Sequence, residues 1–318
     1  MDPYGFWPFP GDLPIEQFML RNWDYGCPQP ASVQRMHLIA EFLRQPRIPR
    51  SWYHPERIIR PTEAQIDLIF RGWRGENVRL LAWFLWQGAH EWPVLMRTHY
   101  DPTQPHHELM MQQWIALGEK YDTGHNRCWN VINHPSFFGI PERIPHEFPD
   151  WRRIFSLLPE IAGPAAVFLP DCDTIRWSDL PPWHKYRRDL FKQQILFEKE
   201  SKPREWNENP FRVIERCAAG LQYAMAAMFI IVVDQQAFVT GRPMLLYLDH
   251  HGNEIRSTRF EFTELTLLGI TSDWFAGHLT PWMWESSEVG ECYEVQGEVG
   301  RVLYQLDELD LAPPTRRG

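Results

Sequence analysis

Tryptophan is unusually frequent in this chain, with 16 rings among 318 residues, distributed from Trp7 to Trp284. An indole ring carries a large apolar surface and an N–H group that needs an acceptor when it is buried. Tryptophan is also strongly enriched at the energetic centres of protein–protein interfaces. The sequence therefore predicts a tightly packed, rigid protein that presents some of these rings to another macromolecule.

The rest of the composition is typical of a globular protein in a reducing compartment. Apolar residues make up 44% and charged residues 23%, and 318 residues are enough to bury a substantial core. An odd number of widely spaced cysteines indicates free thiols rather than a disulfide framework. These cysteines are Cys27, Cys128, Cys172, Cys217 and Cys292. Residues 1–20 lack a basic segment followed by an apolar run, so we expect no secretion signal.

The formal net charge of −9 argues against a nucleic-acid partner, because such proteins need a concentrated basic face. One segment is locally basic and has aromatic residues beside it. Its arginines are Arg44, Arg47, Arg50, Arg57 and Arg60. We interpret them as a solvated surface, and the alternative is a patch for RNA or for an acidic protein.

The apolar run over residues 217–233 is at the lower length limit for crossing a bilayer. Gln222 interrupts this run, and its β-branched end is typical of a strand. We therefore expect a buried helix that leads into a strand, and no membrane partner.

Hydrophobic periodicity predicts an α+β fold. Residues 1–200 form a mainly helical, Trp-rich region, and residues 211–311 form a smaller α+β region with a mixed sheet. The segment between them is expected to be a linker, and residues 312–318 a flexible tail; one continuous domain is the alternative. Helices are predicted over 32–45, 62–71, 77–87, 106–120, 150–158, 182–199, 211–228 and 272–279, and strands over 229–233, 243–248, 255–262, 292–296 and 299–305.

Histidine and cysteine are concentrated between positions 99 and 134. The group consists of His99, His106, His107, Glu108, His125, Cys128 and His134. Zinc takes about four nitrogen or sulfur ligands, and His125-x-x-Cys128 has the spacing of half such a site. The favoured interpretation places His106 and His107 on the surface of the first turn of a helix. The alternative is a metal-dependent enzyme that uses this cluster. Apart from that alternative, we expect no cofactor and no catalytic residue, because the sequence has no nucleophile elbow, phosphate-binding loop or dinucleotide fingerprint.

Aromatic residues beside proline or glycine are the candidate contacts with a partner, because such rings lie in loops rather than on apolar helices. They are Trp52, Tyr53, His54, Trp73, Trp282 and Trp284. Packing between secondary-structure elements is the alternative for each of them. Self-association of the chain is also left open by its composition.

Three segments resemble the Bet and Bel accessory protein family of foamy viruses. They read MDPYGFWPFPGDLP, LRQPRIPRSWYHPERIIRPTEAQIDLIFRGWRGE and THYDPTQPHHELMMQQW. The resemblance implies a non-enzymatic viral protein that binds host cytidine deaminases of the APOBEC class, excludes them from particles and restrains viral gene expression. It also implies that a shared N-terminal portion is missing from this chain. The implied location is the host cytoplasm, with the nucleus less expected because the tail offers only Arg316 and Arg317.

A second resemblance is to the herpesvirus US-twenty-two-like and SUKH group. It depends on PMLLYLDHHGNEIRS followed by SDWFAGHL, where a strand, an Asp-x-x-Gly turn and a second strand precede a helix. This resemblance implies a protein-binding antagonist of host defence.

Overall fold

The structure of the chain is a computed structural model. It describes residues 9–45, 48–88, 94–120, 130–135, 146–147, 151–162, 182–249, 251–275 and 287–304. The predicted flexible tail lies outside these ranges. The described residues build one mixed six-stranded sheet with a helical layer on each face, so the predicted α+β class is confirmed.

Six strands form the main sheet in the spatial order β3–β1–β5–β6–β7–β8, and β2 pairs with β4 in a separate ribbon. The strands are β1 Val94–Arg97, β2 His99–Tyr100, β3 Asn130–Ile132, β4 His146–Glu147, β5 Met228–Val233, β6 Met244–Leu248, β7 Glu254–Arg259 and β8 Glu288–Val289. Strand β1 runs parallel to β3 and β5, whereas β5 to β8 are successively antiparallel.

The α-helices of the described residues are α1 Pro14–Asn22, α2 Ala31–Leu43, α3 Glu63–Gln65, α4 Glu76–Gly88, α5 Pro105–Lys120, α6 Pro182–Ser201, α7 Pro203–Glu208, α8 Pro210–Cys217, α9 Ala219–Met225, α10 Gln235–Thr240, α11 Glu264–Phe275 and α12 Glu298–Tyr304. Short 3₁₀ helices cover Arg50–Trp52, Trp151–Ser156, Pro159–Ala162 and Glu291–Tyr293, and a π-helical turn covers Ile66–Phe70.

Strand β5 lies inside the main sheet, between β1 and β6, and it is buried on both faces. Ile230 and Val232 point into a first core built with α1, α2 and α4. Ile231 and Val233 point into a second core built with α5, α6, α8 and α9. This two-sided burial explains why the strand is a continuous apolar run. No helix among the described residues is long and apolar enough to cross a membrane.

The sheet corrects the predicted division of the chain into a helical region and an α+β region. Strands β1 and β3 come from residues 1–200, and β1 pairs directly with β5 from the later region, with Val94 opposite Ile230 and Arg97 opposite Val233. The two regions therefore share one sheet, which agrees with the alternative of one continuous domain. The prediction missed β1 because a strand of four residues, three of them apolar, is too short to be distinguished from a helix by periodicity.

The expected linker and the expected closing hairpin also differ from their predictions. The expected linker contains helix α7, in which Trp206 is buried. The described residues of the expected closing hairpin over 292–305 form a 3₁₀ turn followed by α12. Close backbone packing explains the second difference: a Cβ on Gly300 would lie 1.9 Å from the carbonyl oxygen of Glu294. The glycines of this segment thus allow close contact between backbone segments, and they do not mark a β-turn between two strands.

Candidate functional site

A cavity of about 450 Å³ opens beside Trp73, at the edge of the first core. Its walls come from the loop before α1, the π-helical turn and the segment that leads into α4. We call it the Trp73 cavity, and its lining consists of Pro10, Ile66, Phe70, Arg71, Gly72, Trp73, Arg74, Gly75, Glu76 and Arg79.

Local sequence signals shape this cavity. Thr62 and Gln65 form a capping box at the start of α3, and the chain then widens into a π-helical turn, a feature frequent at functional sites. Gly72 follows with φ +79°, a left-handed backbone conformation that residues other than glycine rarely adopt. No atom lies within 4 Å of a Cβ built on Gly72 or Gly75, so both glycines leave the mouth of the cavity open.

The ring of Trp73 is held in one orientation. Its Nε1–H donates a hydrogen bond of 2.9 Å to the carbonyl oxygen of Ser156. The guanidinium carbon of Arg74 lies 4.2 Å from the ring centroid, within cation–π range. One edge of the ring packs against the first core while the residue stays partly exposed at the cavity. The ring is therefore a rigid wall rather than a mobile surface group.

A buried ion-pair cluster fixes the base of the cavity. Arg74 contacts both carboxylate oxygens of Glu160 at 3.0 Å and one oxygen of Glu16 at 3.1 Å, and all three side chains are almost fully buried. Arg79 donates to the same Glu16 oxygen at 3.0 Å. Burial raises the pKa of Glu160, against the opposing effect of the Arg74 charge. Breaking such a cluster leaves an uncompensated buried charge, which typically costs about 3–5 kcal/mol.

The chemistry of the lining suits binding rather than catalysis. The described lining has one carboxylate, Glu76, and contains no histidine, cysteine, serine or threonine. The lining consists of apolar side chains, the aromatic ring of Trp73, and the aliphatic and guanidinium parts of arginines. Such a cavity can accept an apolar or aromatic side chain of a partner and a polar group beside it.

The other predicted contact aromatics are placed differently. Trp52 is buried in the first core, 5.3 Å from the ring of Phe18, so the interpretation of Trp52 as a contact residue is corrected. Tyr53 is half-buried and packs against Trp86 at 5.9 Å. His54 is also half-buried. Trp282 and Trp284 lie outside the described residues.

The structure describes the side chains of three of the five arginines in the predicted basic patch. Arg44, Arg57 and Arg60 are exposed, and Arg60 pairs with Asp12 at 2.5 Å. This pairing reduces the positive charge that the segment offers to an anion. The side chain of Arg50 is not described, and Arg47 lies outside the described residues. RNA binding by this segment stays a prediction.

The structure brings several members of the histidine cluster together at the carboxyl end of β1. His107 lies 4.4 Å from His106 and 5.6 Å from His99, measured between ring centroids, and it stacks on Phe238 at 4.2 Å. His107 is buried, which differs from its predicted surface position, whereas His106 is exposed as predicted. His134 is exposed at the end of β3.

Arg97 organises the polar side of the histidine cluster. It is buried, pairs with Glu108, donates at 2.8 Å to the carbonyl oxygen of His99 and lies over the ring of Tyr100. Within the described ranges, no group of three or more histidine, cysteine, aspartate or glutamate side chains could hold a metal ion. His125 and Cys128 lie outside those ranges, so the metal-dependent enzyme stays a prediction.

Cys217 and Cys292 do not have the environment of catalytic nucleophiles. Cys27, Cys217 and Cys292 are free. Burial raises the pKa of Cys217 to about 12 and also raises the pKa of Cys292. A nucleophilic cysteine needs a lowered pKa. Cys128 and Cys172 lie outside the described residues.

Sequence reasoning located Trp73 through its flanking glycines but missed the residues that hold it. Glu16 and Glu160 lie 58 and 86 residues away from Arg74 along the chain. A buried carboxylate so distant in sequence gives no local pattern, and each one resembles an ordinary surface residue of a helix.

Comparisons of the chain with protein-family models, with curated proteins and with solved structures give no match.

Proposed function

We propose that this chain is a non-enzymatic binding protein that holds a protein partner by accepting one of its side chains in the Trp73 cavity. The observation that carries the proposal is the fixed Trp73 ring, hydrogen-bonded to Ser156 and stacked against Arg74 at the wall of an open cavity. A ring that is already ordered loses little entropy on binding, so its contact area contributes more fully to affinity.

The lining supports a partner segment with an apolar anchor. Ile66, Phe70 and Pro10 offer apolar surface, and Trp73 offers an aromatic face. Trp and Arg are the residue types most often found at interface hot spots, and this lining contains both. Since the described lining has no acid–base pair or nucleophile, the same surface gives no support to a reaction there.

The biological role we propose follows from the resemblance of the sequence to the foamy virus Bet and Bel family. In that role the chain is a viral accessory protein in the host cytoplasm that sequesters an APOBEC-class cytidine deaminase and restrains viral gene expression. The net charge of −9 would favour association with a basic partner at long range. An antagonist of host defence of the US-twenty-two-like and SUKH type is the alternative role, and it uses the same kind of contact.

The test is capture of host proteins by the purified chain and by a Trp73→Ala variant, after nuclease treatment. We expect the wild type to retain a specific protein, identified by mass spectrometry, and the variant to lose about 2 kcal/mol or more of binding free energy, as at other hot spots. Titration calorimetry with the recovered partner measures this loss.

Leu265→Ala is the control, because Leu265 is strongly exposed on α11 and lies outside the cavity. It should bind as the wild type does. Equal affinity of the Trp73→Ala variant, or capture that disappears with nuclease, would contradict the proposal. Trp73→Phe separates the ring from its N–H group: it keeps the aromatic wall but removes the hydrogen bond to Ser156, and we expect an intermediate affinity.

A further inference from the structure

Helix α6 has two apolar faces, and only one of them is covered. Phe191 and Ile195 are buried in the second core. On the opposite side, Tyr186, Leu190 and Phe197 are 63%, 43% and 64% exposed. Large apolar side chains that line up on one rigid helix are unusual on a surface that faces only water.

The exposed residues follow a coiled-coil spacing. Tyr186, Leu190, Gln193 and Phe197 are separated by four, three and four residues, so they form one straight stripe along α6. All four are exposed and none carries a charge. We call them the α6 stripe.

The α6 stripe is nearly symmetric about its own middle. An aromatic residue stands at each end, Tyr186 and Phe197, with Leu190 and Gln193 between them. If two copies of α6 pack antiparallel across a two-fold axis, each Tyr186 faces Phe197 of the second copy and each Leu190 faces Gln193 of the second copy. A two-fold interface requires this kind of self-complementarity, because the same patch serves both partners.

The charges beside the α6 stripe are compatible with this pairing. In an antiparallel arrangement, each edge of a helix meets the same edge of its partner. One edge brings Arg187 towards Gln194 of the second copy, and the other brings Asp189 towards Leu196 of the second copy. No like charges are placed opposite one another. A parallel arrangement would instead set Tyr186 against Tyr186 and Phe197 against Phe197, and would bring Asp189 towards Gln194.

We propose that the α6 stripe is the interface of a homodimer in which two copies of this chain pack their α6 helices antiparallel. This dimer is independent of the Trp73 cavity, because no residue of the α6 stripe lines that cavity. It would give the assembly two cavities and thus allow bivalent binding.

The first test is sedimentation equilibrium of the full chain over a range of concentrations. We expect the wild type to dimerise. The double variant Leu190→Glu with Phe197→Glu should have a dimer dissociation constant at least about 100-fold higher, because the two substitutions would bury charges in an apolar seam. Val239→Glu with Leu265→Glu is the control, since those residues are exposed on α10 and α11, and it should dimerise as the wild type does. A monomeric wild type, or equal dimerisation of both double variants, would overturn the proposal.

The second test fixes the orientation and does not depend on the stability of a charged variant. Tyr186 and Phe197 are 11 residues apart, or about 16 Å along the helix, so identical positions of the two copies are far apart in the antiparallel dimer. Under mild oxidation, Tyr186→Cys with Phe197→Cys should give covalent dimers, whereas Tyr186→Cys alone and the wild type should not. Equal cross-linking of the single variant would overturn the antiparallel arrangement. The Trp73→Ala variant should dimerise normally, which separates failure of this proposal from failure of the proposed function.

Discussion

At the scale of single residues, His107 couples the stability of the fold to pH. Burial lowers the pKa of His107, and the neighbouring His106, His99 and Arg97 lower it further, while Asp101 opposes them weakly. The unfolded chain therefore binds this proton at a higher pH than the folded chain does. The folded state loses relative stability as pH falls below about 6.5, the ordinary value for histidine, until the lowered folded pKa is reached.

We predict that His107→Gln reduces the dependence of the unfolding free energy on pH below about 6.5. Urea titrations at several pH values measure the slope, which is insensitive to any constant loss of stability from the substitution. His37→Gln is the matched control, because His37 is exposed on α2, and it should leave the slope unchanged. A slope in His107→Gln equal to that of the wild type would contradict the prediction.

At the scale of secondary-structure elements, a chain of buried hydrogen bonds joins β7, α9 and α12. Arg256 donates to Gln222 at 2.5 Å, Gln222 donates to the Tyr304 hydroxyl at 2.7 Å, and that hydroxyl donates to the Tyr293 carbonyl oxygen at 2.6 Å. Tyr304 thus links α12 to β7 through Gln222. A single hydroxyl satisfies two buried groups, which makes its removal costly.

Tyr304→Phe is predicted to lower the free energy of unfolding by about 1–3 kcal/mol, because it leaves the Gln222 amide and the Tyr293 carbonyl without this partner. Hydrogen exchange should show the loss of protection concentrated in α12. Tyr25→Phe provides the comparison: Tyr25 is exposed, and its substitution should change stability by no more than about 0.5 kcal/mol. Equal effects of the two substitutions would mean that the network contributes little.

The same scale shows what the sequence can and cannot predict. Strand β5 and the capping box at Thr62 were predictable, because six consecutive apolar residues and a Thr-x-x-Gln pattern are strong local signals. Strand β1 was not, since its identity as a strand comes from pairing with β5, more than 130 residues later. The Trp73 cavity follows this rule: the ring was predictable from its glycine neighbours, but its partner Glu160 was not.

At the scale of the whole molecule, the shared sheet determines how the chain can be divided. Strand β1 pairs with β5 over Val94–Arg97, and both cores contain residues from before position 200 and after position 210. A fragment of residues 1–200 would lose the strand that pairs with β1 on one side. A fragment of residues 211–318 would expose the first-core face of β5, including Ile230 and Val232.

We therefore predict that neither fragment unfolds cooperatively alone, whereas the full chain shows a single transition in which circular dichroism and tryptophan fluorescence coincide. The two regions stabilise each other because burying both faces of β5 requires helices from each, and exposing one face would forfeit about 25 cal/mol for each Å² of apolar surface. Urea titration of the full chain and of each purified fragment measures this directly. A cooperative transition in either fragment, or two separated transitions in the full chain, would mean that the regions fold as separate domains and that β1 and β5 meet only after each has formed.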